Sequence, residues 1–213
     1  MNRELILYED DALIFVNKPA GIVVQRGYDA EEPVLLDEVI AYAGHVFLMQ
    51  RLDRGTSGVM FFSKRADINA RLTRQFERKD ISKRYVALAE GCVEEVQTID
   101  APLARIGPIS FGVRDEGKRA ITTIEPLESS PNGSLVQVQL RTGRTHQIRV
   151  HLAAIGHPLV GDWLYGERNA TRPMLHSAEL AMRHPLTGDP LAVAAPIPQD
   201  FREEIAKRGL SGE

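Results

Sequence analysis

The chain has a single cysteine, Cys92, among 213 residues. That excludes an internal disulfide and a multi-cysteine zinc site, makes a reducing compartment the default, and casts Cys92 as a small buried or half-buried filler. No apolar run approaches the roughly 20 residues that a membrane-spanning helix needs. The opening Met1-Asn2-Arg3-Glu4 has no signal-peptide shape, so a cytoplasmic protein is expected. Gly55-Thr56-Ser57-Gly58 is not followed by Lys-Ser/Thr, which excludes a phosphate loop of the nucleotide-hydrolysing kind. His146 and His151 lack the glutamate of a metallopeptidase helix, and His157, His176 and His184 are scattered, so no metal is expected. Ser57 has no evident histidine partner for nucleophilic work. Internal repeats and low-complexity segments are also missing. The length suits one domain over residues 1–213, or two lobes sharing one sheet.

What charge there is lies unevenly. The formal net charge is -3, yet residues 51–84 carry ten Lys/Arg against four Asp/Glu, after a first fifty residues with three against nine. Residues 141–151 add three arginines and two histidines without an acid. A locally basic surface on a mildly acidic protein suits a phosphate-tracking groove, because affinity for nucleic acid follows local counterion release.

Two strands are expected over residues 4–9 and 12–17 about the Asp10-Asp11 turn, followed by a short extended piece at Ile22-Val23-Val24, a polar loop over 26–33 and a short helix over 34–44. The apolar runs Val46–Met49 and Val59–Phe62 read as buried strands on either side of a loop that carries Asp53 between Arg51 and Arg54. Taken alone, a loop aspartate of this kind is more often a turn cap paired to an arginine than a catalytic acid. Residues 66–79 form the clearest amphipathic helix, with Ile68, Leu72 and Phe76 on one face and Arg71, Arg74 and Arg78 on another. Lys83–Ala89 reads as a strand and 93–118 as a loop-rich excursion with short strands. Residues 120–127 and 134–141 pair across a turn, and Thr145 is positioned to cap a helix over 146–155 whose Ile148, Leu152 and Ile155 face inward. A strand over 175–180 and a helix over 201–208 complete an α+β chain built on an antiparallel sheet.

Three stretches in order, Gln50-Arg51-Leu52-Asp53-Arg54-Gly55-Thr56-Ser57-Gly58, Lys83-Arg84-Tyr85-Val86-Ala87 and Arg141-Thr142-Gly143-Arg144-Thr145-His146-Gln147-Ile148-Arg149-Val150-His151, resemble the RNA pseudouridine synthases of the RluA family. Asn17–Gly21 and Gly156–Asp162 extend the likeness, which runs from about residue 5 to residue 195 without an appended S4-type RNA-binding domain. The resemblance implies a pseudouridine synthase fold, a mostly antiparallel central sheet flanked by helices and loops, with an RNA-binding catalytic cleft. It implies that uracil is detached from C1′, rotated and rejoined through C5, without metal or other cofactor. Asp53 matches the catalytic aspartate, which either attacks C1′ or removes the 2′ proton; Arg149 matches the arginine paired with it, and Tyr85 the tyrosine that lies on the base and assists loss of the C5 proton. Leu175 matches an apolar residue on the other side of the site. A uridine in folded RNA must leave its stack, and Arg51 is the candidate to fill the gap. Gln50, Arg54, Lys18, Arg71, Arg74, Arg78, Arg144 and His146 are the remaining expected RNA contacts. Gln50 departs from the family pattern, which usually has His there.

The expected partner is RNA, a ribosomal stem-loop or a transfer RNA, bound by a monomer without a membrane. A non-catalytic RNA-binding or RNA-chaperone protein is the competing reading, but a carboxylate in a phosphate groove repels that ligand. A glycoside or nucleoside hydrolase using Asp53 lacks the second carboxylate such enzymes usually employ.

Overall fold

The computed structural model describes residues 2–26 and 33–212, so most of the polar loop expected over 26–33 lies outside the described residues. In chain order the elements are β1 (Ile6–Glu9), β2 (Leu13–Lys18), α1 (Leu35–Ala43), β3 (Phe47–Leu48), β4 (Ser57–Ser63), α2 (Asn69–Arg78), β5 (Ser82–Ala89), β6 (Gln97–Asp100), β7 (Leu103–Arg105), β8 (Phe111–Val113), β9 (Ile121–Ser130), β10 (Gly133–Leu140), α3 (Gln147–Ala154), β11 (Leu175–Arg183), β12 (Pro190–Ala194) and α4 (Gln199–Lys207). The class is α+β. The chain divides into two compact units, Met1–Lys83 with Ser177–Pro196, and Arg84–His176 with Ile197–Glu213.

In the first unit the strand order is β1-β2-β4-β11, with β3 also on β4 and β12 on β11. Leu13–Val16 and all of β4 are buried, the continuous apolar pattern of strands covered on both faces. Phe15 stacks on Phe61 with centroids 5.2 Å apart, and Phe61 on Phe76 of α2 at 6.1 Å. Ile68 and Leu72 close that side of the core. Burial of side chains of this size contributes about 1.5–3 kcal/mol each, so this cluster is a large contribution to the unit's stability. The β1–β2 turn is held by Asp10, whose Oδ1 accepts the N–H groups of Ala12 and Leu13 while Oδ2 accepts Tyr8 Oη at 2.6 Å. That bond, with burial, pushes the Tyr8 phenol up to about 12.

The second unit is built on the order β5-β10-β9-β6, with β7 and β8 as a separate hairpin. β5, β10, β9 and β6 pair antiparallel, and an irregularity at Leu135/Val136 shifts the β9–β10 register. Leu103, Ala120 and Val150 form a smaller core with Phe111, Val113 and Tyr165 packed on it.

Several expectations need correction. Val46–Met49 provides only the two-residue, half-buried β3, because this edge segment lies against β4 alone. Ile22–Val24, expected as a short extended piece, makes a single bridge, Val23 to Val34. Cys92 is exposed, since it follows the turn at Gly91 that ends β5. Thr145 does not cap α3: His146 takes a left-handed φ of 56° and occupies the cap without a side-chain bond, so the helix starts at Gln147. The strand β12 was not anticipated; its Pro190 start and exposed alternate residues give a weak pattern.

Gly58, where β4 leaves the Asp53 loop, has φ +111°, and a Cβ there would lie 2.1 Å from the carbonyl oxygen of Ser177. Backbone occupies that space and cannot yield as a flexible side chain would. Gly58→Ala is therefore expected to destabilise the protein by at least about 3 kcal/mol in denaturant titration, from strained φ and the clash together.

Candidate active site

In the first unit, Asp53 sits half-buried on the connection from β3 to β4, and its carbonyl accepts the Thr56 N–H at 3.1 Å to close a turn. Lys18, the last residue of β2, holds this turn from beneath. Its side chain is fully buried, and Nζ donates to the carbonyls of Pro19, Arg54 and Thr56 at 2.9, 3.2 and 2.8 Å. An ammonium can donate in several directions at once, and three carbonyls accept from this one. Lys18, expected to touch RNA, is buried here with its ammonium on backbone carbonyls of two loops. Gly21 reinforces it, donating its N–H to Arg54 O at 2.8 Å and accepting Arg54 Nε at 3.0 Å.

Around this fixed turn Arg51 and Arg54 are exposed, while Leu52 is buried and anchors the segment between them. Gln50 is half-buried, and its Nε2 is buried without a hydrogen-bond partner among the described residues. Arg71, Arg74 and Arg78 are exposed on α2, as their spacing predicts. Lys83, at the start of β5, has its Nζ 5.0 Å from the centroid of the Phe76 ring, and burial lowers its pKa to about 8. In the sequence Lys83 opens a matched stretch without being given a role of its own.

In the second unit, Tyr85 is buried on β5 opposite Val138 of β10. Arg149 lies in α3, a helix buried on more than its apolar face: Gln147, Arg149 and His151 are enclosed with Ile148, Val150 and Leu152. The Gln147 side chain ties the start of the helix to the chain before it and to β9. Its Oε1 accepts the Arg144 N–H at 3.0 Å and the Thr142 hydroxyl at 2.8 Å, and its Nε2 donates to Ile121 O and Thr122 Oγ1. His151 bonds Thr122 and Ala101 O, and burial lowers its pKa, so it is a neutral structural histidine.

The Arg149 guanidinium makes a two-pronged bond to Asp162, Nε to Oδ2 at 2.7 Å and Nη2 to Oδ1 at 2.6 Å, with Asp162 fully buried. Asp162 Oδ1 also accepts the N–H groups of Leu164 and Tyr165. The Tyr165 ring lies 5.0 Å from the guanidinium carbon, and its hydroxyl accepts the Phe111 N–H and meets His146 Nδ1 at 2.8 Å. Two charges withdrawn from water are tolerated only with this degree of compensation, and the outcome is a guanidinium locked in orientation. Sequence reasoning assigned neither Asp162 nor Tyr165 a part; Asp162 ended a matched motif, which was the available signal. Leu175 is buried at the start of β11, and Arg144 is exposed with Nε on Arg119 O. The structure thus gathers Gln50, Arg51, Asp53, Arg54 and Lys18 in one loop system, and Arg149, His146, Asp162 and Tyr165 in another.

The family model for RNA pseudouridylate synthase matches residues 12–154. The ribosomal large subunit pseudouridine synthase D of Haemophilus influenzae is 34% identical over 93% of this chain and 68% of its own length. An uncharacterised RNA pseudouridine synthase of Bacillus subtilis, YhcT, is 37% identical over 92% of this chain and 70% of its own. The human RNA pseudouridylate synthase domain containing 1 superposes with a TM-score of 0.77 at 27% identity, covering 90% of this chain and 82% of that one. The human domain containing 4 shares the fold with a TM-score of 0.81 at 22% identity, over 97% and 93% of the two chains.

The lowered pKa of Lys83 fixes a sign. Its folded value, about 8, lies below the ordinary lysine value of 10.5, so the stability gained with a neutral amine is fully present above 10.5 and is lost as pH falls through 8. Lys83→Met is expected to be stabilising at pH 7, with the gain shrinking between pH 8 and 10.5; melting curves across that range check it.

Proposed function

This chain belongs to the RNA pseudouridylate synthase family, and on that premise we propose that it isomerises particular uridines of structured RNA to pseudouridine with Asp53 as the catalytic carboxylate. One observation carries the reading: the family match over residues 12–154 includes Asp53, Tyr85 and Arg149. The reaction is a rearrangement. The bond from uracil N1 to C1′ breaks, the base turns, C5 bonds C1′, the C5 proton leaves, and N1 ends protonated. No atom or electron is gained, so neither an oxidant nor a nucleotide cofactor enters the balance.

Each proposed role has a physical basis. Asp53 reacts as a carboxylate at C1′ or at the 2′ proton, and the fixed turn supplies the orientation that either step requires. Arg149, held by Asp162, presents its charge in one orientation and pairs with the catalytic carboxylate. Tyr85 offers an apolar ring for the base and a hydroxyl for the C5 proton, and Leu175 packs against the site. Arg51 takes the space left when the uridine leaves its stack. Gln50, Arg54, Arg144, His146 and the arginines of α2 contact the RNA. Both units act as one catalytic domain in a monomer. The substrate is a ribosomal RNA stem-loop or a transfer RNA, and the name of the Haemophilus relative favours ribosomal RNA.

The test incubates purified protein, without added metal or nucleotide, with total RNA from a host lacking its own enzymes of this family. New pseudouridine sites are expected with the wild type alone, and Asp53→Ala should lower the rate at least about a thousandfold. RNA that binds with the usual salt dependence but gains no site would favour the binding-protein reading.

A further inference from the structure

The basic face of α2 does not end in open solvent. It forms one wall of a groove of about 380 Å³ whose other wall is the turn from Arg183 to Gly188, between β11 and β12. Four arginines line it, Arg71, Arg74, Arg78 and Arg183, against one acid, Asp80. None of the lining residues belongs to the Asp53 loop. Among the described residues none of the four arginines forms an ion pair, which sets this surface apart from a solvated face of alternating charge.

The walls are tied together. Gln75 Nε2 donates to Arg183 O at 2.9 Å, and the Arg183 N–H returns to Gln75 Oε1 at 3.1 Å. Arg71 Nη1 donates to Pro185 O at 2.9 Å, and Arg183 Nη1 to Gly188 O at 3.1 Å. Each of these guanidiniums is steadied by a neutral carbonyl and keeps other N–H donors for an oxyanion. The turn is braced from behind by His184, which is buried, takes the Thr187 N–H on Nδ1 and lies 2.9 Å from Asp10 through Nε2. A groove already built loses little freedom when it is filled.

We propose that this groove takes backbone phosphates of the RNA substrate, gripping them between α2 and the turn at Arg183. The inference rests on the isomerase reading for its partner and adds Arg183 and a second wall to the contacts the sequence suggested. Arginine forks match phosphate oxygens in pairs, and Arg71, Arg74 and Arg78 spread over about 10 Å of helix axis, enough to follow a strand past one phosphate.

The experiment measures binding of an unmodified transfer RNA transcript and a ribosomal stem-loop transcript across a salt series. The full chain is compared with Arg74→Gln/Arg183→Gln, which removes one charge from each wall, and with Arg202→Gln on α4 as a control. The double variant is expected to weaken binding about tenfold at low salt and to flatten the plot of log Kd against log salt by about 1.5, with the control unchanged. A slope equal to that of the wild type overturns the proposal. So does inorganic phosphate binding that the double variant abolishes while the RNA slope stays put, which would make this a small-anion site. Because binding is read without turnover, the two readings separate: a flattened slope with no pseudouridine sinks the isomerase reading alone, and pseudouridine formation with an unaltered slope sinks the groove alone.

Discussion

A fully buried ammonium, that of Lys18, is the constraint on which the candidate site depends. Burying a charge is unfavourable unless it is hydrogen-bonded, and the carbonyls of Pro19, Arg54 and Thr56 all turn onto Nζ. Those carbonyls belong to two loops, so one cation sets the path of both. Asp53 immediately precedes Arg54 in one of these loops, and its carbonyl accepts the Thr56 N–H. Gly58 completes the arrangement, because only a residue without a side chain lets β4 approach the Ser177 backbone this closely.

The second unit solves a similar problem in another way. Arg149 and Asp162 are both buried, and their two-pronged bond, with the added N–H groups of Leu164 and Tyr165, leaves little freedom to either. Removing one partner of such a pair is unfavourable by about 3–5 kcal/mol, whereas a pair retained whole contributes little net stability. What the pair supplies is orientation. Tyr165 spreads that order to the β7–β8 hairpin through Phe111 and to the start of α3 through His146.

Much of this was legible in the residues. The runs Leu13–Val16 and Val59–Phe62 are long enough to declare buried strands, and the spacing of Ile68, Leu72 and Phe76 declares α2 and its basic face. The acid between two arginines stood out as a loop. Tertiary facts were not legible. A lysine beside a proline reads as surface until three carbonyls are seen around it. Thr145 looks like a cap until His146, in a left-handed conformation, is found in the cap position. The buried polar side of α3 could not be read from periodicity, because Gln147, Arg149 and His151 each find a partner far away in sequence, or thirteen residues on in the case of Asp162. Arg183 joined the arginines of α2 only through the fold.

The most direct test of the account is amide hydrogen exchange on Lys18→Met, paired with single-turnover pseudouridine formation. If the buried ammonium holds the Asp53 turn, the Thr56 and Gly21 amides lose protection while β2 and β4 keep theirs, and turnover falls about a hundredfold, the scale expected of a misplaced catalytic group. Retained turnover with those amides exchanging freely would contradict it, because the carboxylate would then work without the constraint that the rest of the site is built upon.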